Sequence, residues 1–349
     1  MFPLYKDDGK AIIKLTETQK KTIQIVKDKI ISGEYILVKN SCLCKNKRSN
    51  EDIIIAEKDR FGMSVSNILC GKCGLIRSAE VFDQTSTIEF YKNDYRSMYI
   101  GSKRAPESFF NDQIIRGNSF LNLFKDHVSY NNRSLKFLEI GCGAGGILYP
   151  FSKFGHSCSG VDYDENYLEF GISKGLNLLY GDYNHIIEDD SVDVLILSHV
   201  LEHFLEPIVE MQSIIKKVKL GGYFIIEVPG VFYINKTYIN PLLYLQNIHV
   251  FNYYYYYLKV FFEQLGLQVI YGDERCTFIL QKPKEWRDRT IELIYDPSLA
   301  EYPKKIRKYL VKVHLKYIFY MNRKQWQNTA VKFLDVIGLK EIVKRSFKR

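Results

Sequence analysis

The chain of 349 residues is 46% hydrophobic and 26% charged, with 9 Pro and 22 Gly. This composition excludes global disorder and collagen-like sequence and leaves room for two ordinary domains. The net charge of +9 is local: residues 301–349 hold 14 Lys/Arg and 3 Asp/Glu, or +11, while the other 300 residues hold 35 and 37, or −2. Charge therefore lends no support to a nucleic-acid-binding body.

No apolar run approaches the ~18 residues of a membrane-spanning helix. The start, Met1 to Lys10, is charged where a signal peptide needs an apolar core, so a cytoplasmic chain is expected. Seven cysteines in such a chain do not suggest a disulfide framework.

Four segments follow in chain order. Residues 1–80 open with a helical stretch, Thr18–Ile31, and a strand-like run, Glu34–Val38, and then carry four of the cysteines. Cys42-Leu43-Cys44 and Cys70-Gly71-Lys72-Cys73-Gly74 form two pairs, and thiolates at paired turns predict a structural zinc site, a metal-free knuckle being the alternative. The first pair requires a bent loop, because an extended Cys-x-Cys points its side chains to opposite faces. Residues 81–132 read as an aromatic, partly helical linker.

Residues 133–284 alternate short apolar runs with amphipathic stretches, which predicts an α/β, doubly wound Rossmann-like parallel sheet. The strands fall at Leu135–Ile140, Ser157–Asp162, Leu176–Tyr180, Val192–Ser198 and Gly222–Val228, followed by a helix at Tyr253–Leu265. Leu267–Tyr271 and Arg275–Gln281 are joined by a turn too short for a parallel crossover, so they should pair antiparallel. The tyrosines at 253–257 are expected to serve helix surface and core, since consecutive helical positions diverge. Residues 285–349 read as a basic helical extension, with Lys304, Lys305, Arg307, Lys308, Lys312 and Lys316 interleaved with apolar residues. The same style continues through Leu334, Ile337, Ile342, Val343 and Phe347.

The chemistry concentrates where the first of these strands gives way to a helix: Glu139-Ile140-Gly141-Cys142-Gly143-Ala144-Gly145-Gly146. Glycines there let the backbone turn sharply and approach a ligand. Asp162, about 20 residues on, is placed for ribose hydroxyls, which suits a dinucleotide or S-adenosylmethionine. A carboxylate at Glu139 would repel a pyrophosphate and could anchor an amino group, which favours the second. Gly181-Asp182-Tyr183 follows the third strand, and Ser198-His199-Val200-Leu201-Glu202-His203 ends the fourth.

With these motifs the stretch from Leu135 to Lys282 resembles the class I S-adenosylmethionine-dependent methyltransferases. The resemblance implies that Gly141, Gly143 and Gly145 lie against the methionine and ribose. Glu139 and Asp162 would be anchors, Tyr163 would lie beside the adenine, and Asp182 and Tyr183 would hold the base. Ser198 and His199 would line the floor under the sulfonium, and Cys142 would be a small filler within the turn.

The Cys70–Gly74 knuckle, followed by Phe90-Tyr91-Lys92-Asn93-Asp94-Tyr95-Arg96, resembles the N-terminal zinc-binding domain of sugar C-methyltransferases and their surface-polysaccharide relatives. That implies a sugar or glycan acceptor and zinc on Cys42, Cys44, Cys70 and Cys73. Two departures stand out: the first knuckle is Cys-x-Cys, and Gln246-Asn247-Ile248-His249-Val250-Phe251 lacks the Glu-His pair that C-methylating members carry after the fifth strand.

Methyl transfer is an in-line displacement needing alignment, exclusion of water and, for some acceptors, a base. His249, favoured by the resemblance, His203 and Tyr95 are the candidates. The basic extension is expected to pack on the core, with contact to an anionic membrane face as the sharper alternative. An RNA or protein methyltransferase using that tail, and a non-catalytic scaffold, are the competing functions.

Overall fold

The computed structural model describes residues 2–45, 51–102, 104–130, 133–288 and 290–336, with side chains described as far as Trp326. The first helix, α1 (Glu17–Ser32), starts where Thr16 and Gln19 form a reciprocal capping box and stops at Gly33, whose φ is +79°. Five short strands follow: β1 (Leu37–Lys39), β2 (Ile53–Lys58), β3 (Ser64–Leu69), β4 (Ile76–Ser78) and β5 (Glu80–Phe82). The segment read as a linker is three helices, α2 (Gln84–Asn93), α3 (Tyr95–Tyr99) and α4 (Glu107–His127).

The α/β alternation then runs β6 (Lys136–Ile140), α5 (Leu148–Lys153), β7 (Ser157–Asp162), α6 (Glu165–Ser173), β8 (Asn177–Tyr180), α7 (Tyr183–Ile186), β9 (Val192–Ser198), α8 (Pro207–Lys217) and β10 (Val218–Glu227). It closes with α9 (Ile234–Thr237), β11 (Phe251–Asn252), α10 (Tyr255–Gln264), β12 (Gln268–Gly272), β13 (Thr277–Gln281) and α11 (Tyr302–Val336).

Seven strands form the main sheet in the order β12-β13-β10-β9-β6-β7-β8. β6 to β10 are parallel, and β13 inserts antiparallel between β10 and β12. The expected antiparallel pairing of the last two strands is present. Alternate residues face opposite layers, so both faces are buried and the strands read as unbroken apolar runs. Phe137, Val194, Ile196, Ile225 and Ile279 face a core shared with Phe110, Phe120 and Phe124 of α4. Leu138, Leu195, Leu197, Phe224, Ile226 and Phe278 face the other core, with Ile214 of α8 and Phe261 of α10.

Three sequence expectations shift. The Glu34–Val38 strand is the exposed Leu37–Lys39. The fifth strand of the parallel set begins at Val218 and breaks register before Tyr223, where Gly221 turns with φ +80°. Tyr253 and Tyr254 are fully buried ahead of α10 rather than within it.

The cysteine-bearing sheet is not a separate bead. Its order is β11-β4-β3-β2, so a strand from residues 251–252 completes it. Cys42, Cys70, Cys73 and Ile76 bury in the same core as Leu138 and Phe224. Of the basic extension, Ile306, Leu310 and Val313 pack into the body, and Leu315, Ile318, Phe319 and Trp326 are exposed. The expectations at Leu334, Ile337, Ile342, Val343 and Phe347 fall outside the residues whose side chains are described.

Helix α4 reaches the sheet through a glycine. A Cβ at Gly117 would lie 2.4 Å from the Ile147 carbonyl oxygen and 2.8 Å from Pro150. Gly117→Ala should therefore destabilise the fold by about 1–3 kcal/mol through overpacking. In an unpacked helix the same change would stabilise by roughly 0.5–1 kcal/mol, so urea unfolding gives the sign directly.

Candidate active site

In an open α/β sheet the ligand crevice lies at the carboxyl ends of the strands, where the chain leaves neighbouring strands in opposite directions. Here that point is between β6 and β9, and a cavity of about 570 Å³ opens there. Along its wall the strand order sets the residues in sequence: Asp182 after β8, Asp162 and Tyr163 at β7, Glu139, Gly141 and Gly143 at β6, and Ser198 and His199 at β9. Tyr91, Tyr95 and Arg96 of α2 and α3, with Gln113 and Arg116 of α4, cover it from the other side.

The glycine turn is shaped by close approach. Gly141 and Gly143 have φ of +71° and +55°, and a Cβ at Gly141 would meet Val200 at 2.7 Å. Gly143 N–H donates to Asp162 Oδ2 at 2.7 Å, and Asp164 N–H donates to Asp162 Oδ1 at 3.0 Å. The Arg96 guanidinium stands 3.5 Å from both the Asp162 and the Asp164 carboxylates and lies over the Tyr167 ring. Glu139 is 1% exposed, and its Oε2 is buried with no hydrogen-bond partner. Burial, reinforced by the Asp162 charge, pushes its carboxyl well above the usual range. A lone buried carboxyl beside a glycine cradle suits a ligand bearing a cationic or N–H group, as S-adenosylmethionine does.

The remaining expected cofactor residues divide. Tyr163, Asp182, Tyr183, Ser198 and His199 line the cavity. Tyr183 also donates its hydroxyl to Glu210 at 2.8 Å, and Asp182 caps α7 by accepting from Asn184 N–H. Cys142 and Gly145 are not on the wall: Cys142 is fully buried, and a Cβ at Gly145 would press on Leu176 and Leu178, so both are packing positions.

Of the three candidates for a base, His203 and Tyr95 line the cavity and His249 does not. His249 is 3% exposed and sits behind His203, with ring centroids 5.1 Å apart. It is displaced because β11, which begins two residues later, draws this segment onto the cysteine-bearing sheet. Burial holds His203 below the ordinary imidazole range and brings His249 down to about 3.

Sequence reasoning gives no role to Arg96 and Glu202, which stand within its motifs, and does not name Arg116 or Glu227. His199 adopts φ +56°, in the left-handed region that few residues other than glycine occupy. Its Nδ1 lies 3.3 Å from Glu202 and its Nε2 3.6 Å from Glu227. Burial opposes its charge, but the two carboxylates outweigh burial and raise its affinity for a proton. Burial also opposes the charge of Glu227, yet His199 and Arg116 bring its carboxyl down to about 2. Arg116 donates to Ser198 Oγ at 3.4 Å and pairs with Glu227 at 3.5 Å. Glu227 carried a signal, the last residue of a parallel strand; Arg116 and Arg96 carried none.

The four thiols of the N-terminal sheet converge. Cys42 Sγ lies 3.5 Å from those of Cys73 and Cys44, and Cys44 Sγ lies 3.6 Å from that of Cys70. A tetrahedron with ~2.3 Å metal–sulfur bonds has edges of about 3.8 Å, so the set fits a four-thiolate ion. The bent first loop is present: Lys45, at φ +56°, closes the turn by donating to the Cys42 carbonyl.

Residues 117–271 match the family model of a methyltransferase domain. Among solved structures, an S-adenosylmethionine-dependent methyltransferase from Mesorhizobium loti is 18% identical over 32% of this chain and 54% of its own, with a TM-score of 0.29. One from Archaeoglobus fulgidus is 20% identical over 62% of this chain and 90% of its own, with a TM-score of 0.36. Phosphoethanolamine N-methyltransferase 1 of Haemonchus contortus is 10% identical over 73% of this chain and 59% of its own, with a TM-score of 0.44. The chain thus spans little more than half the length of the first and third. No curated protein matches the sequence. Residues 117–271 thus form a methyltransferase domain, and the strand order and the glycine turn with its carboxylates suit S-adenosylmethionine as the methyl donor.

Asp162→Asn should weaken S-adenosylhomocysteine binding by roughly 10- to 100-fold, the value of a charge-assisted hydrogen bond. Isothermal titration calorimetry measures it, and unchanged affinity would remove Asp162 from the cofactor site.

Proposed function

We propose that this methyltransferase methylates a sugar, nucleotide-activated or lipid-linked, in surface-glycan biosynthesis, with a structural zinc on Cys42, Cys44, Cys70 and Cys73. The observation that carries the acceptor reading is the polar wall beyond the sulfonium position. Arg116, Ser198, His199, His203, Tyr95, Gln84 and Thr87 face one cavity, a density of donors and acceptors that suits a polyhydroxylated ligand. Neighbouring Glu227 also accepts from Thr277 Oγ1 at 2.7 Å, which holds its carboxylate in place beneath His199.

When bound, S-adenosylmethionine supplies an electrophilic methyl group. The protein's share is alignment and exclusion of water. Glu139 would hold the amino group, Asp162 the ribose, and Tyr163 with Asp182 the base. Tyr91 and Tyr95, 4.9 Å apart ring to ring, close the cavity from the helices above. His203 and Tyr95 are the proposed contacts to the acceptor, and His249 is a positioning residue behind His203. The thiolate-bound ion would tie two turns of a small sheet together and contribute folding free energy.

Incubation with S-adenosylmethionine and a panel of sugar nucleotides should add one CH₂ in mass to an accepted sugar, and the Asp162→Asn enzyme should not. Methylation confined to RNA or protein would overturn the sugar reading.

A peripheral membrane contact through α11 is proposed as well. Past Val313 the helix exposes Leu315, Ile318, Phe319, Tyr320, Met321 and Trp326 beside Lys312, Lys316, Arg323 and Lys324, a mixture that suits an anionic interface. No helix among the described residues is long and apolar enough to cross a membrane. The full chain should sediment with phosphatidylglycerol vesicles, and Phe319→Glu with Trp326→Glu should abolish that. Equal recovery of both proteins in the supernatant would end this proposal.

A further inference from the structure

A second cluster of ligating side chains, distinct from the cysteines, lies behind the wall of the cavity and reaches it through His203. Glu202 and His203 end the short 3-10 turn Leu201–His203 that follows β9. His249 is brought to them from 46 residues away by β11. Val250 N–H donates to the Glu202 carbonyl at 2.9 Å, and Ser78 Oγ donates to the His249 carbonyl at 2.9 Å. One ligand atom from each of the three residues lies within 4.8 Å of the others.

The hydrogen bonds around the cluster orient it. His203 Nδ1 is 3.0 Å from the Ile248 carbonyl oxygen, and His249 Nδ1 is 3.2 Å from Asn252 Oδ1. Carbonyl oxygens only accept, so each Nδ1 carries the hydrogen and each Nε2 keeps its lone pair. This arrangement, a ring N–H held by a carbonyl and the opposite nitrogen left free, orients histidines that ligate metals. His203 Nε2 lies 3.8 Å from Glu202 Oε1, and Glu202 Oε2 is buried with no partner although the residue is only 1% exposed. Two imidazoles and a carboxylate thus place one ligand atom each within 4.8 Å of the others in largely buried surroundings, where a cation between them would satisfy all three.

We propose that Glu202, His203 and His249 form a second metal site in this protein, for a divalent transition ion of the zinc class, with its open position facing the acceptor side of the cavity. Two imidazoles and one carboxylate are a donor set for Zn²⁺, Fe²⁺ or Mn²⁺ that leaves coordination positions for an exogenous ligand. Nitrogen and oxygen donors at ~2.0–2.1 Å from an ion stand about 3.3 Å apart. The set, now within 4.8 Å, therefore closes by up to about 1.5 Å on binding, a distance within reach of side-chain rotation. His199 Nδ1 and His203 Nε2 flank the same carboxylate oxygen, Glu202 Oε1, at 3.3 Å and 3.8 Å, and Oε2 is buried without a partner. His203 alone of the three lines both cluster and cavity, so the open position points there. That this position receives an oxygen of the acceptor rests on the function proposed above; the site itself stands on the side-chain geometry.

Crystals of the full-length chain soaked in Zn²⁺ alone test it directly. Anomalous difference maps at the zinc edge are expected to show one peak within the four thiolates and a second between Glu202, His203 and His249. A peak at the thiolates only, repeated with Mn²⁺ and Co²⁺, would overturn the proposal. In solution, cobalt-loaded protein is expected to hold two ions per chain, and Glu202→Gln one, with thiolate-to-cobalt charge transfer retained as the sign of an intact N-terminal sheet. Unchanged metal content in that variant would also overturn it. Neither readout involves methyl transfer, and S-adenosylhomocysteine calorimetry on the same preparations tests the methyltransferase separately.

Discussion

The adjacency of β6 and β9 in the middle of the main sheet is the constraint on which the rest depends. Parallel strands whose chains depart to opposite sides leave a crevice at their carboxyl ends, because neither following loop can cover it. That geometry sets the glycine turn of β6 beside the Ser198–His203 segment of β9, with Asp162 and Glu227 on the flanking strands. Both faces of the sheet are sealed by apolar layers. Charged groups at the strand ends therefore sit at the rim of a low-dielectric body, where electrostatic interactions are stronger than in water.

That setting explains the ordering of charge in the cavity. Asp162 is satisfied by a backbone N–H and by Arg96, and Glu227 by Thr277, Arg116 and His199. Glu139 and Glu202 each retain a buried oxygen without a partner. A folded chain tolerates few such groups, since each costs about 1–3 kcal/mol relative to a satisfied one. Glu139 borders the cavity beside the glycine turn, and Glu202 stands beside the two histidines.

The N-terminal sheet and the methyltransferase body act as one packing unit. β11 leaves the body, completes the four-stranded sheet, and in passing carries His249 behind His203. The cysteine cluster buries against the same core as the catalytic sheet, and Tyr254 donates its hydroxyl to the Cys73 carbonyl at 2.6 Å. The helices α2 and α3, entered directly from β5, deliver Tyr91, Tyr95 and Arg96 to the cavity roof.

Much of this was legible in the residue order. The alternation of apolar runs, the glycines at 141 and 143, and acidic residues one strand apart are local patterns, and local patterns report what a strand end and a tight turn need. Arg96 and Arg116 could not be found this way, because a basic residue on a helix looks the same whether it faces water or a carboxylate. His249 is favoured as a base by resemblance and by its place after the fifth strand, and a linear pattern contains no more than that. Its true place depends on β11 pairing with Arg77 and Ile76, partners about 175 positions earlier. The chain by itself determined the sheet, the cofactor turn and the two knuckles, all encoded within a few residues. Only the tertiary structure decided which side chains meet across the cavity, since non-local strand pairing and the burial of charge are set by the assembled core.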